Sequence, residues 1–240
     1  MAAGVGLLVG AGTMALAGVA GGSVSAANPD HAAIEQIVHD YILAHPEIIP
    51  QAIAKLQDRQ MAQTIDANRK AIETPFAGAW AGARDGDVTL VEFFDYACGF
   101  CRASMPDVDR LLAEDPKLRI VFRELPILGD ESDDAAKVSL AAAQQNRFMA
   151  FHRSMYAGDR PGKESIAKAQ AASGLDPRGV AQARSSAEVR DEIARNLELA
   201  RTLNLTGTPS FIIGDKVLSG AVGYDELKKA VAEARAKSAG

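Results

Sequence analysis

Apolar residues change their spacing several times along the chain, and each change marks a new element. Over residues 30–73 they fall at three- and four-residue intervals (Ile34, Ile37, Val38, Tyr41, Ile42, then Ile48, Ile49, Ile53, Leu56), the spacing of one helix face. This predicts two helices, the first beginning after Asn28-Pro29-Asp30 and the break falling near His45-Pro46. The second helix continues toward Ile65 and Ile72 with a stripe too sparse for a core helix, a pattern that needs a partner. Residues 74–78 end it, and residues 83–87 form a turn cluster. The run Val88-Thr89-Leu90-Val91-Glu92-Phe93-Phe94 is β-branched, aromatic and almost continuously apolar, which predicts a central strand buried on both faces.

Helical spacing returns over residues 102–113 (Met105, Val108, Leu111, Leu112), and residues 118–125 read as a second strand. Strand, helix and strand in that order make a parallel unit. Residues 129–203 are alanine-rich and helical, with segments at 134–145, 148–156, 165–172 and 189–202 and breaks at Pro161-Gly162, Ser173-Gly174 and Asp176-Pro177. Strand signals resume at 209–213, Gly214-Asp215 makes a turn, residues 216–219 complete a hairpin, and residues 224–236 close the chain as a helix. The expected architecture is an α/β core interrupted by a helical block and preceded by a helical arm.

Composition narrows the function. A chain of 240 residues, 48% hydrophobic, can bury one full-sized core and an appendage. A net charge of -5 and a pI near 5.4 provide no basic face for nucleic acid. Residues 1–26 carry no charge, are rich in Gly, Ala, Val and Leu, and end in Val24-Ser25-Ala26, the small residues a signal peptidase accepts. They read as a signal peptide, with the mature protein opening at Ala27 or Asn28 in the periplasm or at the cell surface. A membrane anchor is the competing reading; the many glycines argue against it, whereas the absence of any Lys or Arg before Lys55 leaves the signal without its usual basic start.

The two cysteines, Cys98 and Cys101, exclude a network of structural disulfides. They also do not make a structural zinc site, because His31, His39, His45 and His152 lie far from them and lack the spacing such a site requires. Cys98 follows a strand and opens a helix, where unpaired N–H groups and the helix dipole favour a thiolate. Cys101, one turn further, is placed to attack a mixed disulfide formed at Cys98. An inert bridge closing so short a loop would remove little unfolded-state entropy.

Residues 91–101, Val-Glu-Phe-Phe-Asp-Tyr-Ala-Cys-Gly-Phe-Cys, resemble the active-site segment of DsbA-type disulfide oxidoreductases in the thioredoxin superfamily. The resemblance extends over about residues 75–235. It implies an α/β thioredoxin fold over residues 75–240 with an inserted α-helical domain at about 129–203, and a protein-disulfide oxidoreductase or isomerase that needs neither cofactor nor metal. It further implies that Thr208-Pro209 is a cis pair facing the cysteines, that Thr208 touches the thiolate and the substrate backbone, and that Gly99 and Phe100 contact substrate. Glu92 takes the place of a buried acid that accepts or relays the Cys101 proton. An acid inside so apolar a strand favours burial on its own account.

Two features depart from the strongly oxidising members: Gly99-Phe100 replaces Pro-His, removing a cation beside the thiolate, and Thr208 is the choice of isomerase-type relatives. His152, among aromatics, reads as a packed core residue. Residues 41–49 resemble the arm of ScsC-like and Com1-like members, which implies that residues 27–74 join protomers into a homo-oligomer. The implied partners are exported proteins with cysteines and a membrane redox protein that reoxidises or reduces the site. Two other readings stand beside this one: a copper or other soft-metal carrier using the same thiolates, and a structural protein with vestigial redox chemistry. Met105 is the only methionine within ten residues of the pair, which weakens the first, and the intact set of CxxC, acid and Thr-Pro weakens the second.

Overall fold

A strand with apolar side chains toward both sides must be covered on both sides. In the computed structural model, which describes residues 29–238, the strand β2 (Val88–Phe94) is accordingly the middle one of five. The sheet order is β1 (Trp80–Gly82), β3 (Leu118–Glu124), β2, β4 (Ser210–Ile213), β5 (Lys216–Ser219). β2 and β3 run parallel, in register from Val88 opposite Leu118 to Phe94 opposite Glu124. β4 lies antiparallel on the other side of β2, with Glu92 opposite Phe211. Helix α3 (Gly99–Glu114) connects the parallel pair, and the chain ends in α9 (Tyr224–Ser238).

Five helices stand between β3 and β4: α4 (Asp130–Gln144), α5 (Phe148–Ala157), α6 (Lys163–Ala172), α7 (Pro177–Ser185) and α8 (Ala187–Thr202). The sequence reading passed over α7, treating Asp176-Pro177 as a break. It is a helix start: the Asp176 carboxylate accepts the Arg178 and Gly179 N–H groups and Pro177 fills the first turn. The three-residue β1, too short to show a period, was also missed; it pairs antiparallel with β3.

Two cores separate along the sheet. One face carries Leu90, Phe94, Ile120, Phe122, Phe211 and Ile213, covered by α3, α9 and the inserted helices. The other carries Val91, Phe93, Val121, Leu125 and Ile212, covered by Leu199 and Leu203 and by Ile65 and Ile72. These last two belong to α2 (Ile48–Glu73) and are 1% and 0% exposed. The expectation that α2 is too sparse to join a core is therefore corrected for its second half: two isoleucines seven residues apart, on one face, suffice to fill the space over β2 and β3.

The described residues divide into two units between Gln51 and Ala52. In the first, α1 (Pro29–Ala44) presents Ile34, Ile37, Val38, Tyr41 and Leu43 to solvent. The expected signal segment, residues 1–26, lies outside the described residues. Among the described residues, no helix is long and apolar enough to cross a membrane.

Candidate active site

Cys98 ends the turn after β2 and is the N-cap of α3, with extended backbone angles (φ -79°, ψ 116°). A cap residue directs its side chain at the unpaired N–H groups of the first turn, and the Cys98 Sγ accepts the Cys101 N–H at 3.4 Å. The same sulfur donates to the Thr208 carbonyl at 3.1 Å. Thr208–Pro209 is cis and sits immediately before β4, so pairing of β4 with β2 brings this loop level with the end of β2 where Cys98 emerges. Both cysteines are free thiols. Cys98 is 6% exposed and Cys101 is fully buried, whereas Phe100 between them is 69% exposed and Gly99 has open space where a side chain would be.

Glu92 lies on the sheet face that also buries Cys101, and it is 1% exposed. Burial pushes its carboxyl up to about 8, and its Oε2 has no hydrogen-bond partner. Burial likewise raises the Cys101 thiol far above its ordinary value, with smaller contributions from Glu92 and Cys98. The buried cysteine therefore holds its proton until a base removes it. The neighbouring acid is close enough for its charge to be felt and is poised near neutral pH, as a proton acceptor requires.

Further polar residues in this layer escaped the sequence reading. Glu124 occupies the position opposite Phe94, two residues along from the one opposite Glu92, and so shares the Glu92 face. It too is buried and raised well above the carboxylate range by burial, against a Ser139 hydrogen bond that lowers it; its Oε1 is unpartnered. The Tyr96 hydroxyl meets Ser139 Oγ at 2.9 Å and His152 Nδ1 at 3.1 Å. His152 is fully buried, stacked on Phe148 and edge-on to Phe94, and burial lowers it to about 3, so its ring is neutral.

Asp95, also buried, accepts the Cys98 N–H on its carbonyl and three loop N–H groups on its carboxylate. Arg102 donates to the Tyr156, Gly158 and Asp159 carbonyls, closing the end of α5. A signal for Glu124 was present: an acid inside an apolar strand is what singled out Glu92. None existed for the Asp95 Oδ2, whose partners lie about thirty residues away in sequence.

Among the described residues, no group of three or more His, Cys, Asp or Glu is arranged to hold a metal ion. The two thiols are the chemistry of the site. A dithiol at a helix N-terminus, beside a cis-proline loop on a five-stranded mixed sheet, defines a redox protein of the thioredoxin class. Residues 89–232 match the model of the DSBA-like thioredoxin domain, and the chain belongs to that family. Residues 30–63 match the N-terminal domain of the copper resistance protein ScsC.

A thioredoxin-like oxidoreductase from Silicibacter pomeroyi superposes with a TM-score of 0.68 at 38% identity, covering 70% of this chain and 98% of that one. ScsC of Proteus mirabilis in a transitional conformation gives 0.66 at 28%, covering 88% and 98%. The thiol-disulfide exchange protein alpha-DsbA2 of Wolbachia pipientis gives 0.69 at 28%, covering 74% and 97%. Among curated proteins, the chain spans only 24% of the length of the Na(+)/H(+) antiporter NhaA 3 of Salinispora tropica, to which it is 27% identical over 160 residues, or 65% of this chain. It spans 73% of the disulfide bond formation protein D of Bacillus subtilis, at 22% identity over 163 residues, or 62% of this chain.

Proposed function

We propose that this protein is an exported thiol-disulfide oxidoreductase that forms or reshuffles disulfides in other exported proteins. The observation that carries this reading is the Cys98 sulfur, held at a helix N-terminus between the Cys101 N–H and the Thr208 carbonyl. In the oxidising direction a substrate thiolate attacks Cys98 Sγ of the Cys98–Cys101 disulfide, and Cys101 leaves as a thiolate that takes a proton from Glu92. A second substrate thiolate then attacks the substrate sulfur of the mixed disulfide, and Cys98 leaves as a thiolate. The substrate thiols give up two electrons and two protons: the pair takes both electrons, one proton restores the Glu92 carboxyl that protonated Cys101, and the other stays in solvent while Cys98 remains a thiolate. In the reverse direction Cys98 attacks, and Cys101, deprotonated by Glu92, resolves.

Thr208 and Pro209 hold the substrate backbone beside the sulfur, and Gly99 leaves room for its approach. Phe100, Ile127 and Leu128, all exposed, form an apolar rim for side chains flanking the substrate cysteine. With Gly99-Phe100 between the cysteines no cation stabilises the thiolate, which favours a less oxidising potential and an isomerase-like role. The solvent-facing stripe of α1 supports self-association of the arm, and a membrane redox protein resets the pair. The periplasm or cell surface is the place where this chemistry is needed.

Replacing Cys98 with Ser is expected to abolish exchange with glutathione disulfide, by at least about a thousandfold; retained turnover would sink the mechanism. The reduction potential, measured by alkylation and mass in glutathione buffers, then sets the direction. A value near roughly -120 mV makes a disulfide donor, and one near roughly -200 mV an isomerase or reductase.

A further inference from the structure

We infer that Asp95 is a positioning residue: its carboxylate fixes the apolar rim relative to Cys98 and thereby governs the handling of polypeptide substrates more than the thiol chemistry itself. The inference rests on the proposed exchange activity and adds the residue that determines which cysteines are served best.

Asp95 is 1% exposed and gathers five hydrogen bonds from three places in the chain. Its carbonyl accepts the Cys98 N–H at 3.0 Å and the Tyr156 hydroxyl at 3.1 Å. Its Oδ1 accepts the Ala97 N–H at 2.8 Å, which shapes the turn leading into Cys98. Its Oδ2 accepts the N–H groups of Ile127 at 2.9 Å and Leu128 at 3.0 Å. The two ends of one residue thus hold the nucleophile's backbone and the loop after β3.

That loop has little else to fix it. Leu125 N–H still bonds the Phe94 carbonyl, Pro126 has no N–H to give, and Gly129 at φ 140° already leaves regular backbone. The N–H groups of Ile127 and Leu128 end on the Asp95 carboxylate. Their side chains are 46% and 50% exposed, and together with Phe100 they are the only exposed large apolar residues among the described residues outside α1 and α2. Outside α2, the described surface of the catalytic unit is otherwise free of such groups, and these three are tied to the residues around the sulfur. A buried carboxylate spent on three backbone donors is a costly device for an ordinary loop. It is explained if the distance between rim and sulfur must be constant. The occupant this suits is an extended polypeptide with bulky apolar side chains next to its cysteine.

The variant Asp95→Ser separates the functions, because a hydroxyl still serves the Ala97 N–H and the backbone carbonyl remains, while Oδ2 is lost. Three probes are needed: glutathione disulfide, and two synthetic peptides each carrying one cysteine as its glutathione mixed disulfide, flanked by leucines in one and serines in the other. The unaltered protein is expected to favour the leucine peptide by about tenfold in kcat/KM. Asp95→Ser is expected to reduce that preference to about twofold or less, through KM, with glutathione exchange slowed by less than exchange with the leucine peptide.

The double variant Ile127→Ser/Leu128→Ser is expected to do the same, and adding Asp95→Ser to it to do nothing more. Should Asp95→Ser not fold, Asp95→Asn, whose amide oxygen serves only one set of donors, is expected to give an intermediate preference. The inference is overturned if the unaltered protein shows no leucine preference, if the preference survives Asp95→Ser, if all three probes slow equally, or if the losses add. Absence of glutathione exchange in the unaltered protein would instead be a failure of the proposed function, and would remove the inference with it.

Discussion

Arg123 and Glu124 are consecutive on β3, equally buried, and point to opposite faces of the sheet, yet they are treated in opposite ways. Arg123 is fully engaged: its guanidinium donates to the Ile72 carbonyl at 2.8 Å, the Thr74 carbonyl at 2.6 Å, the Ala71 carbonyl, Glu192 at 3.1 Å and Asn196 at 2.8 Å. It thus closes the C-terminal end of α2, where helix carbonyls lack partners, and ties that helix to the sheet. On the other face, Glu124 and Glu92 each keep a buried oxygen without a partner. Burial raises both carboxyls, and no cation compensates. A buried charge that is saturated with partners is structural, whereas a buried acid left half-satisfied has an affinity for a proton that chemistry can use.

The contrast can be broken most severely at α2. A chain beginning at residue 75 loses Ile65, Ile72 and three carbonyl partners of Arg123, and is expected to lose more than about 5 kcal/mol and its cooperative urea transition. One beginning at residue 52 is expected to keep the transition; a sharp transition in the shorter chain would show that this face does not depend on the helix. Arg123→Met comes next, with a loss of about 3 kcal/mol, at the low end for a broken buried pair because Glu192 retains Arg195 at 2.8 Å. A neutral result by denaturant titration would place Arg123 among replaceable buried ions.

Glu92→Gln tests the other face and has the opposite sign. The folded carboxyl titrates at about 8 against an ordinary 4.5, so the folded state binds the proton more tightly, and stability is lost as pH rises between those values. The variant is expected to match the parent near pH 4 and to exceed it by up to a few kcal/mol at pH 8.5, while resolution by Cys101 slows by roughly a hundredfold. Equal stability at both pH values would mean that Glu92 is not desolvated as described. The smallest effect is expected from Tyr96→Phe, about 1 kcal/mol, which removes the hydroxyl from Ser139 and His152 and leaves glutathione exchange unchanged.

Four of the five strands and the redox turn were legible because their signals are local. Val88–Phe94 is too apolar for anything but a central strand, and a cysteine between a strand and a helical pattern must cap that helix. Glu92 stood out as an acid in an apolar run; Glu124 in Leu118–Glu124 offered the same signal and was overlooked. The depth of Ile65 and Ile72 was not legible, since stripe density along a helix does not reveal which few positions meet a sheet. Nor were the roles of Asp95 and Arg123 readable. The N–H groups of Ile127 and Leu128 on Asp95 and the end of α2 on Arg123 are brought near only by the fold, and sequence spacing carries no trace of such pairings.

The margins of the sheet bear on how the proposed exchange with other proteins begins and ends. β1 is three residues long and stops at Gly82 with φ 86°, while the Arg119 guanidinium lies 5.4 Å from the Trp80 ring centroid. β5 has four residues and begins at Lys216, paired with Glu233 at 2.6 Å. Neither border offers a long row of vacant amides on which a guest could lay itself down as a sixth strand. Under the proposed exchange activity a substrate chain is thus held by one sulfur, the Thr208–Pro209 loop and a few side chains, an attachment that ends when the disulfide moves on.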